Sequence, residues 1–343
     1  MAKTRKLNNL RYFDKENPKD IKADFLNELE KVNALHQESN TNPNYNSKEK
    51  IIKFLTLPNS KYSFISENLA KGYSYLQNSK NFKSIKRIFL LAHPFKSKSN
   101  KIFLSGYDSY ETLFGKKFDI DKEIYEEIKE DNNLLNKGIL NYTFSTYQVT
   151  NFQEDTSNRG NIIENIQTVI ESEEDFDFSF DLHLNYLSLL YPDEEIKIVP
   201  IWFKSSLKEG RKDKIVLHLM NILSKYLSSD ENILLTSTNL TYFGRNYNYL
   251  GNDPEFRKDR KFLKNKINEE RVIKHVKSID DEGINFIKNF DERNLIEMKN
   301  LNFCKDLFLL VMKISSLLNL IICFSIHFLP RRSRRPRSYT KKA

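Results

Sequence analysis

Continuous apolar runs recur along the chain at Ile51 to Leu57, Arg87 to Ala92, Lys101 to Ser105, Ile196 to Phe203, Ile233 to Ser237 and Ile321 to Leu329. Each is short, bounded by polar residues and not alternating, which is the pattern of a strand buried on both faces. Helical periodicity fills several of the gaps. "PKDIKADFLNELEKVNAL" spaces Ile21, Phe25, Leu26, Leu29 and Val32 along one face, and "DKIVLHLMNILSKYL" does the same with Ile215, Leu219, Ile222 and Leu223. "DPEFRKDRKFL" offers Asp253 as an N-cap and Pro254 at the first helical position. Buried strands alternating with helices predict an α/β protein whose sheet is covered on both sides, in three α/β/α layers.

The apolar stretch "LFLLVMKISSLLNLIICFSIHFL", Leu307 to Leu329, admits two readings. Its length and basic flank suit a C-terminal membrane anchor. Against that, Lys313, Asn319 and His327 interrupt it, and a lysine at a bilayer centre costs about 2.5–3.5 kcal/mol. The favoured reading divides it into a buried helix over Phe303 to Leu318 and a core strand in "IICFSIHFL". No Pro/Gly linker divides the chain, so residues 1–330 read as one domain. Within it, an Asn-rich polar segment at about 141–168 reads as an insertion or long loop.

Nine glycines among 343 residues are about 2.6%, well under the usual ~7%, so Gly-based motifs carry little weight here. The formal charge of +9 points first to nucleic acid, yet its distribution argues otherwise. The tail "RRSRRPRSYTKKA", residues 331–343, holds five Arg and two Lys and no acid, which leaves only +2 for the other residues. The tail itself reads as a solubilising end or as a nuclear-import or acidic-surface contact. Cys304 and Cys323 are too few for a disulfide framework and form no CxxC pair, which points to a reducing compartment. The segment "MAKTRKLNNLRYF" has no apolar core of a secretory signal, so the expected location is the cytoplasm, or the nucleus through the basic tail.

In an open α/β sheet, ligands sit at the carboxyl ends of the strands. A metal or acid–base site there needs His, Cys, Asp or Glu. The segments that follow the strands are "PNSKYSF", "AHPFKSKSN" and "TSTNLTYFG", which supply Asn59, His93, Phe95, Asn239 and Tyr242.

The order of these elements resembles the MEMO family, named for a mediator of cell motility, whose fold is similar to class III extradiol dioxygenases. "LTLPNSKYSF" looks like the family's PHAGYxY element, with Pro58 and Tyr62 kept. "RIFLLAHPFKSKSNKIFLSGYDSYETLFG" is similar to its strand, LGPSH turn, next strand and YxTPLG element. "DFSFDLHLNYL" resembles EHSxExxLPFL, keeping Ser179, with Asp181 for the acid, and "IKIVPIWF" matches IIPVLVG through Pro200. "ILLTSTNLTYFG" resembles VVSSDxxHxG, and "NLNFCKDLFLL" resembles the segment carrying the family cysteine, here Cys304. The resemblance runs from about residue 8 to the C-terminus, and "FSIHFL" and "SYTKKA" resemble the last strands. It implies a three-layer α/β/α fold around a central mixed sheet, like that of the extradiol dioxygenases.

Carried over position by position, the family's metal pocket reads here as Asn59, Phe95, Phe178, Asn239, Tyr242 and Cys304, with Ser179 beside it. Only Cys304 retains its family identity among the ligand positions. A lone thiol cannot supply the three or four donors a transition metal needs, and Phe95 and Phe178 would fill the space with apolar surface. The residues also have non-catalytic readings. His93 lies two positions from the lost ligand and reads as a surface or hydrogen-bonded turn histidine. His183 falls at a variable family position, and Ser179 shows no His/Asp relay. Asn239 and Tyr242 suit packing and strand-end hydrogen bonding, and a buried Cys304 would act as a small hydrophobe.

The resemblance therefore implies a non-catalytic, MEMO-like protein with no cofactor, serving as an adaptor in signalling to the microtubule cytoskeleton and cell motility. Its partners by family resemblance are proteins, including phosphotyrosine peptides; the charge distribution argues against nucleic acid, and the apolar run 307–329 keeps a membrane contact as an alternative. The competing expectation is a copper- or iron-dependent redox enzyme whose site is rebuilt from Cys304, His93 and His183.

Overall fold

Five of the apolar runs become strands of one mixed sheet. A computed structural model describes residues 2–7, 13, 17–38, 50–93, 102–130, 140–142, 178–204, 214–241, 266–298 and 305–320. Its strands are β1 (Thr4–Lys6), β2 (Phe54–Leu57), β3 (Arg87–Ala92), β4 (Ile102–Leu104), β5 (Ser109–Glu111), β6 (Lys117–Ile120), β7 (Leu140–Tyr142), β8 (Lys197–Phe203) and β9 (Asn232–Ser237). Their order is β1-β5-β6-β8-β3-β9-β2. β6 pairs with the start of β8 and antiparallel β4 with its end, and β7 pairs with β4. The four central strands β2, β9, β3 and β8 are mutually parallel, and β3 and β9 are buried along almost their whole length.

Helices α1 (Pro18–Glu38), α2 (Tyr62–Gln77), α3 (Lys122–Glu130), α4 (Phe178–Leu190), α5 (Lys214–Leu227), α6 (Lys266–Lys288), α7 (Glu292–Glu297) and α8 (Lys305–Leu317) surround this sheet. The route β2–α2–β3 steps one way across the sheet, and β8–α5–β9 steps back. Right-handed crossovers then place α2 on one face and α5 on the other, and α4 packs on the α2 side. Side-chain contacts agree. The register aligns Leu57, Ser237, Ala92 and Trp202 in one row. From this row Trp202 packs on Phe180 of α4 at 4.8 Å between ring centroids, and Ser237 bonds His183 of α4. Phe89 points the other way and meets Tyr226 of α5. α8 packs against α5, with α6 and α7 against α8, around a second cluster that includes Ile279, Ile287, Leu295, Phe308 and Met312.

Five of the expected strands and both periodic helices form, with differences of physical origin. The first run becomes strand only from Phe54, and Ile51 is exposed. In α1, Ile21, Phe25, Leu29 and Val32 are buried, but Leu26 is turned 100° from Phe25 and stands outside the stripe at 38% exposure. β7 occupies 140–142, so the start of the expected insertion belongs to the sheet; the rest of 141–168 lies outside the described residues. The hairpin β5–β6 was not legible as an apolar run because its strands are three and four residues long. Helix α8 realises the expected buried helix, while Ile321 to Leu329, Asp253, Pro254 and the basic tail lie outside the described residues. Among the described residues, no helix is long and apolar enough to cross a membrane.

Candidate functional site

At the carboxyl end of the sheet the polar residues are engaged with one another. The backbone of Thr238 donates to the Leu57 carbonyl at 2.9 Å, the last backbone bond between β9 and β2. One residue further on, Asn239 Oδ1 accepts from Asn59 N at 3.0 Å and Asn239 Nδ2 donates to Asn59 O. Asn59 Nδ2 in turn donates to Ser179 Oγ at 3.3 Å. Asn59, Ser179 and Asn239, from three separate segments, thus meet in one cluster.

Ser179 opens an unusual helix. In α4, Ser179, Asp181, His183, Asn185 and Ser188 are all buried, although the helix is otherwise apolar. The spacing of two from Ser179 to Asn185, around a 3.6-residue turn, sends these groups in different directions, so each must find its own partner inside the protein. Asp181 faces the Arg5 guanidinium at 3.3 Å. Asn185 Oδ1 accepts from Leu113 N at 2.8 Å, its Nδ2 donates to Asp181 O at 2.7 Å, and Ser188 Oγ donates to Asn185 O at 2.7 Å. Burial pushes the Asp181 carboxyl up from its ordinary value, and the Arg5 charge partly offsets this.

His183 lies between Tyr73 of α2 and Ser237 of β9, with Tyr73 Oη 2.9 Å from Nδ1 and Ser237 Oγ 3.0 Å from Nε2. The set has the outline of a serine–histidine relay, but its chemistry is that of a clamp. Burial lowers His183 to about 3, so the ring is neutral, and burial raises Tyr73, so its hydroxyl keeps its proton. The Tyr73 hydroxyl also lies 3.4 Å from the His183 carbonyl, a second acceptor for its proton, and the two ring contacts are compatible with either neutral tautomer. A ring that burial lowers to about 3 is a weak base for a serine hydroxyl. Ser237 is also only 2% exposed.

His93 and Lys204 directly follow β3 and β8, adjacent parallel strands, at the carboxyl end of the sheet. His93 Nε2 lies 3.9 Å from Asp306 Oδ2, in the first turn of α8. The sequence suggested a surface or hydrogen-bonded turn histidine; the side chain is mostly enclosed, at 12% exposure, beside Asp306 of α8. Burial first, and then the Lys204 charge, lower His93 to about 4; at pH 7 it is neutral and the Asp306 contact is not an ion pair. Among the described residues, no three His, Cys, Asp or Glu side chains gather as metal ligands.

Phe95, Tyr242 and Cys304 lie outside the described residues, and of Phe178 only its place as the first residue of α4 is described. Sequence reasoning missed Tyr73, Ser237 and Arg5. Ser237 had a signal, since it closes a buried strand with a hydroxyl, whereas Tyr73 and Arg5 are ordinary residues whose partners lie 110 and 176 positions away. No family model matches the chain, and no curated protein does.

Proposed function

We propose that this chain is a non-catalytic protein of MEMO-like, extradiol-dioxygenase-like fold, acting as an adaptor whose old metal cleft is closed by internal hydrogen bonds. The observation that carries the reading is the reciprocal Asn59–Asn239 pair. In the family's pattern these positions hold a histidine and an aspartate that address the cleft, whereas here the two residues bond one another and Ser179. Neutral amides without lone-pair nitrogens are poor transition-metal ligands, and their polar capacity is already in use. His183 is similarly committed, with both ring nitrogens bonded, so a metal site built on it would have to break the Tyr73 or Ser237 contact. By the family resemblance, the role is binding of protein partners, including phosphotyrosine peptides, in signalling to the cytoskeleton.

Metal analysis of protein purified without an affinity tag, with and without Cys304→Ala, tests the non-catalytic reading. The expected result is substoichiometric copper and iron in both. Stoichiometric copper or iron that disappears in Cys304→Ala would overturn the reading in favour of a redox enzyme. For the adaptor role, tyrosine-phosphorylated peptides should bind more tightly than their unphosphorylated twins, and equal or absent binding removes that partner class.

A further inference from the structure

The N-terminal strand β1 is held as a ligand would be held. It is three residues long and pairs in parallel with β5, Thr4 opposite Ser109, Arg5 opposite Tyr110 and Lys6 opposite Glu111. Backbone bonds bracket it, from Asp108 N to Lys3 O and from Leu7 N to Glu111 O, both at 2.8 Å. These contacts suit any extended segment. The side chains select. Arg5 and Leu7, two apart, point inward, and Lys6 points out at 72% exposure. The guanidinium reaches Asp181 on α4 and lies 5.3 Å from the Tyr110 ring centroid, while Leu7 is 2% exposed in the core.

A buried carboxylate and an aromatic face together favour arginine over lysine, because the weakly hydrated planar guanidinium can serve both while leaving water. Among the described residues, Arg5 is the cation within ion-pair distance of Asp181. Losing it would strand a carboxylate that is 3% exposed. The slot therefore demands an occupant, and the one it has is a short edge segment on few backbone bonds, which an incoming segment can exchange for if it brings the same buried contacts.

We infer that the groove along β5 is a peptide-recognition slot for an extended Arg-x-aliphatic segment, filled here in cis by Thr4–Leu7, and that a protein partner presenting such a segment adds to the sheet by displacing β1. The mode is strand addition, with affinity from the backbone of β5 and specificity from Asp181 and the Leu7 pocket. It does not depend on the state of the strand-end cleft.

Full-length Arg5→Ala protein titrated with the peptide KTRKLN tests this, with KTKKLN and KTRKSN as controls. KTRKLN should bind at least tenfold more tightly than either control, and at least tenfold more tightly to Arg5→Ala than to the wild type, whose own strand competes. Adding Asp181→Asn should bring the Arg-over-Lys preference below threefold. No binding to Arg5→Ala, or equal binding of KTKKLN, would overturn the proposal. So would a wild-type dimer that dissociates in Arg5→Ala, which would assign the slot to a second copy. If Arg5→Ala does not fold, it is refolded with each peptide: recovery with KTRKLN alone supports the slot, and no selective recovery overturns it.

Discussion

The side-chain amide of Asn239 takes hold of the Asn59 backbone at both its N–H and its C=O, across 180 residues of sequence. It acts as one more rung on the β2–β9 ladder, beyond the pairing of Leu57 with Ser237. An aspartate cannot repeat this, since an ionised carboxylate has no donor and would face the Asn59 carbonyl. Asn239→Asp should lose about 1–3 kcal/mol at pH 7 by urea unfolding. The deficit relative to wild type should shrink below about pH 4, where a protonated carboxyl can donate again.

The clamp reading of Tyr73, His183 and Ser237 makes a different prediction from a catalytic one. Ser237→Ala leaves Nε2 of a fully buried ring without its partner, at a cost of about 1–3 kcal/mol, and Tyr73→Phe should cost a similar amount. The triple change Tyr73→Phe, His183→Leu, Ser237→Ala replaces the whole polar set by apolar groups. It should recover most of the stability lost by either single variant, and chemical denaturation of the series measures this.

Stability should fall in mild acid. His93 and His183 bind protons more weakly in the folded protein, at about 4 and about 3, than in the unfolded chain at 6.5. Their contribution is present in full above about pH 6.5 and is lost as pH falls toward those folded values, by up to about 1.4 kcal/mol per pH unit for each. Asp280 of α6 opposes this. Burial, with Asp281 adding and Thr241 opposing, raises its carboxyl to about 6, so its contribution falls as pH rises from about 4 to 6. Asp280→Asn should therefore stabilise the protein by about 1–2 kcal/mol at pH 7 and steepen the acid loss, as read from thermal unfolding at pH 4.5, 5.5 and 7.

Gly72 lets α2 lie close on β2. A Cβ there would sit 2.3 Å from Cδ2 of Leu57, whose side chain is buried in the row between α2 and β9. Alanine gains about 1 kcal/mol of helix propensity, yet overpacking costs about 1–3 kcal/mol. Gly72→Ala should be destabilised by about 1 kcal/mol, and adding Leu57→Val should recover much of that in the same denaturation assay.

The continuous apolar runs announced β3, β8 and β9 because a strand buried on both faces has to be apolar throughout. The strands on the β1 side of the sheet escaped notice for the converse reason: β1 and β5 are short and half polar, and what makes them strands is the partner beside them. The strand ends were legible as the place to look for a site, and Asn59, Ser179 and Asn239 do meet there. That they bond each other could not be read, since an amide in a sequence shows no partner.

By itself, the sequence determined the local terms: which segments are apolar enough to be central strands, which carry a helical stripe, and which polar types stand after each strand. Periodicity and composition are properties of neighbours along the chain, so the chain suffices to show them. Only the tertiary structure decided what the buried polar groups do. The alternating polar residues of α4 suggest nothing in isolation. Packed between Arg5, Tyr73, Leu113 and Ser237, they become the internal partners of four distant segments. The reason is electrostatic and geometric: a buried polar group must be matched within about 3 Å, and folding alone decides which group stands there.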